Sequence, residues 1–356
     1  MKRVLIINIS DTTYNGVTSV IMNYVRPTHN TVKYDFVLCK IVDKRFVDEL
    51  NELGENTYIP PCSRERHPVK YYRWLKNLMK RNKYDCVHVH GNSGTVYVEI
   101  HAAKKAGVPV RIAHSHSTSC KYLLVHKLLK SLLNKELTHA IACSDLAGKW
   151  LFDREHTILP NGIEVDRFKY SEDLRTRYRK ELSLEDKFVI GHVGYMEDVK
   201  NHAYLLRVFE KLIQRKENAH LLLIGDGKIR AQIESSIFEN GLSGYVTLLG
   251  KRPDIANLYQ CMDVFVLPSI YEGLPVTSVE AQAAGLPCLI SNNVTKQVSI
   301  TENVKYINIQ ESNIDEWADA LLNVYECDKQ KAFNDVNNSE FNIENSVKIL
   351  LSTYGC

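Results

Sequence analysis

The sequence predicts an α/β protein made of two domains, each built on a doubly wound parallel sheet. Short apolar stretches alternate with amphipathic stretches along both halves of the chain, as in sheets whose strands are joined by crossover helices. The strands are nearly continuous apolar runs, such as Val264-Phe265-Val266-Leu267, which indicates burial on both faces. A chain of 356 residues is long enough for two domains of ordinary size.

The first half contains six predicted strands with amphipathic helices between them. Apolar residues recur with helical periodicity at 17–24, 71–81 and 95–106. The strands are predicted at 4–9, 35–39, 57–59, 86–90, 110–114 and 139–143.

A charged segment after Asn161-Gly162 marks the predicted junction between the domains. A second series of strands begins at 188, and a C-terminal helical stretch closes the sequence. We therefore predict an N-terminal domain at 1–165, a C-terminal domain at 166–340, and a last helix at 341–356. The strands of the second domain are predicted at 188–193, 220–224, 246–249, 264–267 and 288–290.

Bulk composition indicates a soluble protein of a reducing compartment. Hydrophobic residues make up 44% of the chain and charged residues 24%, as in ordinary globular proteins. No stretch approaches the roughly 20 apolar residues of a membrane span. The nine cysteines are scattered and include no Cys-x-x-Cys, which argues against disulfides and zinc and predicts a cytoplasmic location.

Charge is distributed unevenly between the two halves. Residues 1–165 carry 24 Lys and Arg against 15 Asp and Glu, a balance of +9, whereas the remaining residues carry 21 against 27, a balance of −6. A basic half indicates an anionic partner. Because no nucleic-acid-binding motif is present, we expect a membrane surface or an anionic glycolipid rather than nucleic acid.

The segment at 268–288 is the most informative part of the chain. It follows a predicted buried strand and predicts a loop, a helix with Pro275 in its first turn, and a left-handed stop at Gly285. Glu272 precedes the helix, and Glu280 lies about two turns along it on a similar side. The helix N-terminus favours an anion, and carboxylates accept hydrogen bonds from sugar hydroxyls.

The sequence Glu272-Gly-Leu-Pro, followed by Glu280 and Ala-Gln-Ala-Ala-Gly-Leu-Pro, resembles the retaining glycosyltransferases of family 4. The resemblance extends over nearly the whole chain and is closest to members that build capsular polysaccharides and exopolysaccharides. It implies the GT-B fold, in which two Rossmann-like domains face a cleft, with 1–165 on the acceptor side and 166–340 binding the nucleotide sugar. The resemblance further implies that the last helix, at 341–356, crosses back to the first domain. It also implies that Glu280 binds the nucleotide ribose, that Glu272 binds donor-sugar hydroxyls, and that the amides of Gly273 and Leu274 stabilise the diphosphate.

A second motif is similar to the family pattern with one departure. Lys200-Asn201 matches a Lys-Asn pair whose lysine neutralises the leaving diphosphate in the family. Tyr195 stands where the family pattern has arginine, and tyrosine brings a hydrogen bond but no charge. This departure leaves open a non-catalytic subunit that binds the donor, and Lys200 could also be a plain surface lysine. A GT-B sugar-nucleotide epimerase is a further alternative.

Further residues that resemble family positions lie in loops after predicted strands. Gly16 begins a helix and resembles the family's glycine-rich loop, although a plain tight turn is the alternative. Arg252 lies in a loop that resembles the base-reading loop. The resemblance implies that His116 or His114 contacts the donor sugar, with His116 favoured. Pairs of the form His-x-His also suggest metal binding, but nearby ligands with suitable spacing are lacking, so we predict no metal.

The resemblance implies transfer of a sugar, as hexosyl or N-acetylhexosaminyl, from a nucleoside diphosphate sugar. We expect a UDP-sugar donor, a lipid-linked glycan acceptor and no cofactor. The stretch Lys121–Lys135 alternates leucines with basic residues, which is typical either of a helix lying on an anionic membrane or of an ordinary surface helix. The first interpretation predicts peripheral contact with the inner face of the cell membrane.

Overall fold

The chain forms two compact α/β units, each with one parallel sheet. The computed structural model describes residues 1–9, 16–39 and 44–356. Unit 1 comprises Met1–Gly162 and Ile343–Cys356, and unit 2 comprises Ile163–Asn342. The domain boundaries predicted from the sequence are 165/166 and 340/341.

Unit 1 contains a seven-stranded sheet with the order β3-β2-β1-β4-β5-β6-β7. All of its strand pairs are parallel. The strands are β1 Lys2–Asn8, β2 Val32–Leu38, β3 Asn56–Tyr58, β4 Cys86–His90, β5 Val110–Ser115, β6 His139–Ala142 and β7 Thr157–Ile158. The helices that connect them are α1 Gly16–Thr28, α2 Lys44–Glu52, α3 Pro68–Asn82, α4 Tyr97–Ala106, α5 Leu123–Glu136 and α6 Asp145–Leu151.

Unit 2 contains a six-stranded parallel sheet with the order β10-β9-β8-β11-β12-β13. Its strands are β8 Phe188–Val193, β9 Ala219–Ile224, β10 Val246–Gly250, β11 Val264–Leu267, β12 Cys288–Ser291 and β13 Val304–Ile307. Its helices are α7 Glu172–Glu181, α8 His202–Ile213, α9 Arg230–Glu239, α10 Ile255–Gln260, α11 Val276–Ala283, α12 Ile314–Leu322 and α13 Lys329–Asn337. The two parallel sheets with helices on both faces confirm the predicted fold class.

Each sheet reverses its strand order once, between β1 and β4 in unit 1 and between β8 and β11 in unit 2. In open parallel sheets, ligands bind beyond the carboxyl ends of the strands at such a reversal. The loops that follow β8 and β11 therefore lie at the expected ligand-binding edge of unit 2. The ends of β4 and β5 lie at the corresponding edge of unit 1.

The last helix, α14 (Ile343–Tyr354), belongs to unit 1 rather than to the unit that precedes it in the chain. It packs on the face of the sheet that α1 also covers, where Ile343, Leu350 and Tyr354 join the buried core. The sheet's other face is covered by α3, α4 and α5. Tyr354 is buried against Tyr34, with ring centroids 6.4 Å apart.

Buried Gln282 fixes the helix α11 to the segment that follows β12. Its amide nitrogen donates to the carbonyl oxygens of Ser278 at 3.0 Å and Val298 at 2.7 Å. Its amide oxygen accepts from the backbone N–H groups of Ile300 and Thr301, both at 3.0 Å, and from the Thr301 hydroxyl at 3.1 Å. Every hydrogen-bonding group of this buried amide is therefore satisfied.

We expect Gln282→Leu to lower the free energy of unfolding of unit 2 by about 2–5 kcal/mol, because it leaves the N–H and the hydroxyl of buried Thr301 without the acceptor that Gln282 supplies. The measurement is urea denaturation followed by circular dichroism. Gln297→Leu is the control, since Gln297 is exposed on a neighbouring segment and should change stability little. Equal stability of Gln282→Leu and wild type would contradict the proposed anchoring.

Candidate active site

The ion pair between Lys200 and Glu272 is the centre of the candidate site in unit 2. Nζ of Lys200 lies 2.5 Å from Oε1 of Glu272, and both side chains are mostly buried, with exposed fractions of 14% and 15%. The Ser269 hydroxyl donates to the same carboxylate oxygen at 2.9 Å. Two sequence motifs that lie 72 residues apart thus meet at one point.

Backbone contacts hold the two loops of this pair together. Lys200 ends a short 3-10 helix, Asp198–Lys200, that follows β8, and Asn201 then adopts a left-handed conformation with φ of 59°. The Asn201 amide donates to the carbonyl of Pro268 at 3.2 Å, and the N–H of Ile270 donates to the carbonyl of Val199 at 2.8 Å. The family-like Lys-Asn pair therefore has two tasks, since Lys200 supplies the charge and Asn201 anchors the loop.

Two neutral histidines lie beside Lys200. Nδ1 of His192 donates to the carbonyl of Val266 at 2.9 Å, and its ring packs edge-on against His202 at 4.8 Å. Burial is the main cause of a lowered pKa in both rings, and the charge of Lys200 acts in the same direction. Together they lower the pKa of His202 to about 4, and the pKa of His192 lies well below 6.5. These rings are therefore uncharged at neutral pH, and Lys200 supplies the positive charge at this strand end.

Glu280 is partly buried on α11, where the hydroxyl of Tyr259 lies 2.9 Å from its Oε2. Burial raises the pKa of the Glu280 carboxyl to about 7, although the Tyr259 hydroxyl and Arg167 act in the opposite direction. Hydrogen bonds that a ligand donates to such a carboxylate stabilise its charged form. A ribose diol is such a ligand.

The start of α11 differs slightly from the sequence expectation. Pro275 is the N-cap residue, and the helix begins at Val276 rather than at the proline. Gly285 follows the helix with φ of 74°, as predicted for a left-handed stop. A side chain at Gly273 would meet no atom within 4 Å, so the chain has open space at this position, and Leu274 beside it is partly buried.

Tyr195 and Arg252 occupy different environments. Tyr195 is 45% exposed in the loop after β8. The guanidinium of Arg252 forms two hydrogen bonds with Asp254, at 2.8 and 2.6 Å, and the pKa of Asp254 falls to about 2 because Arg252 stabilises its charged form. Arg252 therefore has a carboxylate partner that an incoming phosphate would have to replace or share.

Gly225 brings another loop close to the one that carries Tyr195. Its φ is 139°, and a side chain there would overlap with the carbonyl oxygen of Gly194. The N–H of Met196 donates to the carbonyl of Asp226 at 3.0 Å. A glycine is required for this close approach of the loops after β8 and β9.

Four histidines cluster at the carboxyl ends of β4 and β5 in unit 1. Nε2 of His88 lies 3.3 Å from Nδ1 of His114, and Nδ1 of His90 lies 2.9 Å from Nε2 of His116. The rings stack, with centroids 4.1 Å apart for His114 and His116. Burial lowers the pKa of all four, to about 3 for His88 and about 4 for His116, so all four are neutral at pH 7.

The two candidate sugar-binding histidines differ in accessibility. His114 is fully buried, whereas His116 is partly exposed. The backbone N–H groups of His116 and Ser117 both donate to the amide oxygen of Asn92, at 2.7 and 3.1 Å. The indole of Trp150 donates to the Asn92 carbonyl at 2.7 Å, which fixes Asn92 in turn.

The remaining predicted residue, Gly16, is the first residue of α1. Its neighbour Asn15 lies outside the described residues, as does the rest of the segment 10–15. The sequence interpretation missed Ser269, Tyr259, Asn92 and Tyr354. Tyr259, Asn92 and Tyr354 contact residues that lie 21 to 266 positions away in the sequence, whereas Ser269 contacts Glu272, three residues ahead of it. No sequence motif marks these four residues.

The paired glutamates beside a lysine, at the switch point of one of two parallel sheets, define a glycosyltransferase of the GT-B class. A family model described as "Glycosyl transferases group 1" matches residues 175–338, and one described as "Glycosyltransferase Family 4" matches residues 15–167.

Full-length relatives agree with these matches. The chain is 35% identical over 312 residues to EpsF of Bacillus subtilis (strain 168), which carries a glycosyltransferase name, with coverage of 83% of this chain and 81% of EpsF. It is 30% identical to an Escherichia coli UDP-Gal:alpha-D-GlcNAc-diphosphoundecaprenol alpha-1,3-galactosyltransferase, with coverage of 78% and 76%. The chain therefore belongs to the family 4 glycosyltransferases and is an enzyme of that class.

Solved structures show the same fold. Anabaena Alr3699/HepE in complex with UDP superimposes with a TM-score of 0.83 at 17% identity, over the whole of both chains. The same Anabaena protein in complex with UDP-glucose gives a TM-score of 0.79 at 18% identity, again over the whole of both chains. These similarities confirm the GT-B fold.

We expect the affinity for uridine to fall as pH decreases through about 7, because a bound ribose favours charged Glu280. Binding lowers the pKa of this carboxyl, so protons compete with the ligand below the pKa of the free protein. The loss should approach about tenfold per pH unit below pH 7. Isothermal titration calorimetry measures this affinity. Uridine is used because it carries no phosphate group whose own protonation would change over the same pH range.

Glu280→Gln is the matched control for this titration, because it keeps the size of the side chain and removes its ionisation. Its uridine affinity should be weaker and independent of pH between 6 and 8. A wild-type affinity that stays constant over this range, or a Glu280→Gln variant that keeps the full pH dependence, would contradict the proposed role.

Proposed function

We propose that the protein transfers a sugar from a UDP-sugar to a lipid-linked glycan, with retention at the anomeric carbon and without a metal ion. The observation that carries this proposal is the Lys200–Glu272 ion pair, which places a cation and a carboxylate at one strand end. The E. coli relative is named for a UDP-Gal donor, a diphosphoundecaprenol-linked acceptor and an alpha product. EpsF and the Staphylococcus aureus capsular polysaccharide glycosyltransferase CapH, 23% identical over 330 residues, suggest a role in exopolysaccharide or capsule synthesis.

In this proposal the donor is held by its ribose and by its diphosphate. Glu280 accepts the ribose hydroxyls, and Lys200 together with the amides of Gly273 and Leu274 stabilises the diphosphate as its charge grows. Glu272, released in part from Lys200, accepts hydroxyls of the sugar. A fixed cation and fixed backbone dipoles require no reorganisation at the moment of bond cleavage, which is why they lower the barrier.

The proposed chemical step needs no further reactant. The bond between the anomeric carbon and the UDP oxygen breaks, and an acceptor hydroxyl bonds to the same face of that carbon. The hydroxyl proton passes to the leaving phosphate oxygen, so that UDP is the product. His116 or His114 contacts the sugar, and Tyr195 supplies a hydroxyl where the family pattern has a cation.

We expect Lys200→Ala and Glu272→Ala each to reduce transfer at least about tenfold, because each removes an interaction with the reacting donor. The assay measures UDP release from a panel of UDP-sugars with a diphosphoundecaprenol-linked glycan, and NMR of the product gives its anomeric configuration. Lys331→Ala is the control, since Lys331 forms an exposed ion pair of 2.6 Å with Glu302.

Several outcomes of this assay would contradict the proposal. Near-normal turnover in either variant would remove the assigned roles. Loss of wild-type transfer in EDTA with recovery in magnesium would overturn metal independence. UDP-sugar binding without transfer would favour the donor-binding subunit, and a changed sugar nucleotide in the absence of acceptor would favour the epimerase.

The outer face of α5 supports contact with a membrane on the acceptor side. Leu124 and Leu128, one turn apart, are 79% and 75% exposed, and Leu132 continues the stripe at 42%. Lys121, Lys127 and Lys135 lie on or beside the same helix. Exposed leucines flanked by lysines suit the surface of an anionic bilayer.

A cavity of about 400 Å³ opens beside the first turns of α5. Its lining includes apolar Pro68, Val125 and Leu129 and the charged residues Lys121, Arg64 and Glu65. Arg64 is paired with buried Glu99, so the apolar part of the lining is what suits an amphiphilic acceptor. Among the described helices, none has both the length and the apolar character to cross a membrane. The exposed leucines and flanking lysines of α5 are the basis on which we propose peripheral attachment at the inner face.

We expect the double variant Leu124→Gln/Leu128→Gln to bind phosphatidylglycerol vesicles at least about tenfold more weakly, because it removes two apolar side chains from the contact. Vesicle sedimentation measures the binding, and high salt should weaken it further. Phe238→Gln is the control, since Phe238 is equally exposed, at 79%, on α9 of unit 2. Unchanged binding of the double variant, or an equal loss in the control, would contradict the assigned surface.

A further inference from the structure

A chain of hydrogen bonds runs from the last helix to the sugar-side histidines of unit 1. His88 and His114 lie on the face of the sheet that α1 and α14 cover, since their neighbours along the strands, Cys86 and Ile112, belong to that core. The hydroxyl of Tyr354 lies 2.8 Å from Nδ1 of His88. Nε2 of His88 lies 3.3 Å from Nδ1 of His114.

The direction of the first bond follows from the chemistry of Tyr354. Burial raises the pKa of its hydroxyl well above 10, so the hydroxyl keeps its proton. Across the described residues, Nδ1 of His88 is the acceptor within hydrogen-bonding distance of this proton. The reverse direction would leave a buried hydroxyl proton unsatisfied, which is unfavourable. Tyr354 therefore donates to His88.

The direction of the second bond follows from the first. A neutral imidazole carries one proton, and the pKa of His88, lowered to about 3 by burial, keeps this ring neutral. Because Nδ1 of His88 accepts, its proton is on Nε2, and it donates to Nδ1 of His114. The proton of neutral His114 must then be on its own Nε2.

The Nε2–H of His114 is a buried donor that has no partner within the described part of the chain. Such a group is costly unless a ligand or water supplies an acceptor. His116 is not determined in the same way, because its hydrogen bond to His90 can run in either direction. The chain of hydrogen bonds therefore distinguishes between the two candidate histidines.

We propose that Tyr354 and His88 are positioning residues that hold His114 as a hydrogen-bond donor, through Nε2–H, for an oxygen atom of the bound sugar substrate. This role rests on the proposed glycosyl transfer, whereas the tautomers themselves do not. It assigns a function to a residue of α14 that lies 266 positions from its partner. His88 acts only through His114 and does not itself contact the substrate.

Nitrogen-15 NMR of the histidine rings tests the tautomers directly in the full chain. We expect both His88 and His114 to show the Nε2–H form, assigned with the variants described below. An Nδ1–H form of His114 would overturn the proposal. Because nitrogen atoms of His88, His90 and His114 lie within 4.8 Å of one another, spectra are recorded with EDTA and with Zn²⁺. Zinc that is retained by the purified protein and ligated by these rings would also overturn it.

Two pairs of variants test the functional consequence. Tyr354→Phe removes only the donor hydroxyl, and Tyr34→Phe makes the same change at a neighbouring buried tyrosine that bonds to Thr28 at 2.7 Å. His88→Gln preserves one acceptor and one donor, whereas His88→Leu removes both. We expect Tyr354→Phe and His88→Leu to lower kcat about 3- to 10-fold with little change in the KM for the donor.

Tyr34→Phe and His88→Gln should keep kcat near the wild-type value. Equal losses in Tyr354→Phe and Tyr34→Phe would indicate a packing effect and overturn the positioning role, as would a full loss in His88→Gln. A wild-type protein that shows the expected tautomers but transfers no sugar would contradict the proposed function and leave the hydrogen-bond directions intact. Failure of the positioning role and failure of the proposed function therefore give different experimental results.

Discussion

The organisation of the donor-side residues depends on one ion pair, Lys200–Glu272. Each charge is mostly withdrawn from water and is compensated by the other, so neither is stable alone. In the proposed reaction, a phosphate that approaches Lys200 and a sugar hydroxyl that approaches Glu272 would replace this mutual compensation together. The pair would thus couple recognition of the two ends of the scissile bond, and the contacts at Asn201 and Ile270 keep it in position.

The histidines around the candidate sites of both units are neutral polar groups. The four histidines of unit 1, and His192 and His202 in unit 2, all have pKa values lowered chiefly by burial. They therefore act at neutral pH as oriented dipoles rather than as charges. Oriented dipoles cost less to bury than charges, and they still discriminate between donors and acceptors on a ligand.

The elements with the strongest patterns were predicted closely from sequence. The strands β4, β8 and β11 have the predicted bounds because each is a mostly apolar run between a charged residue and a glycine or proline. The strand β13 and the helix α13 were missed, since Val304–Ile307 includes an exposed lysine and Lys329–Asn337 is mostly polar. Glu272, Glu280 and Lys200 lie in recognisable motifs. Tyr259 and Tyr354 contribute through tertiary contacts that no local pattern encodes, and the local hydrogen bond from Ser269 to Glu272 belongs to no motif.

The return of α14 to unit 1 has a consequence for biosynthesis. Residues 343–356 leave the ribosome only after all of unit 2 has been made, yet they complete the core on one face of the first sheet. Although domains generally fold in the order of their synthesis, the nascent first unit has that face covered only in part, by α1 and α2, until α14 is made. Chaperones that shield apolar surfaces would therefore meet this unit first, and His88 acquires its tyrosine partner only after unit 2 has been synthesised.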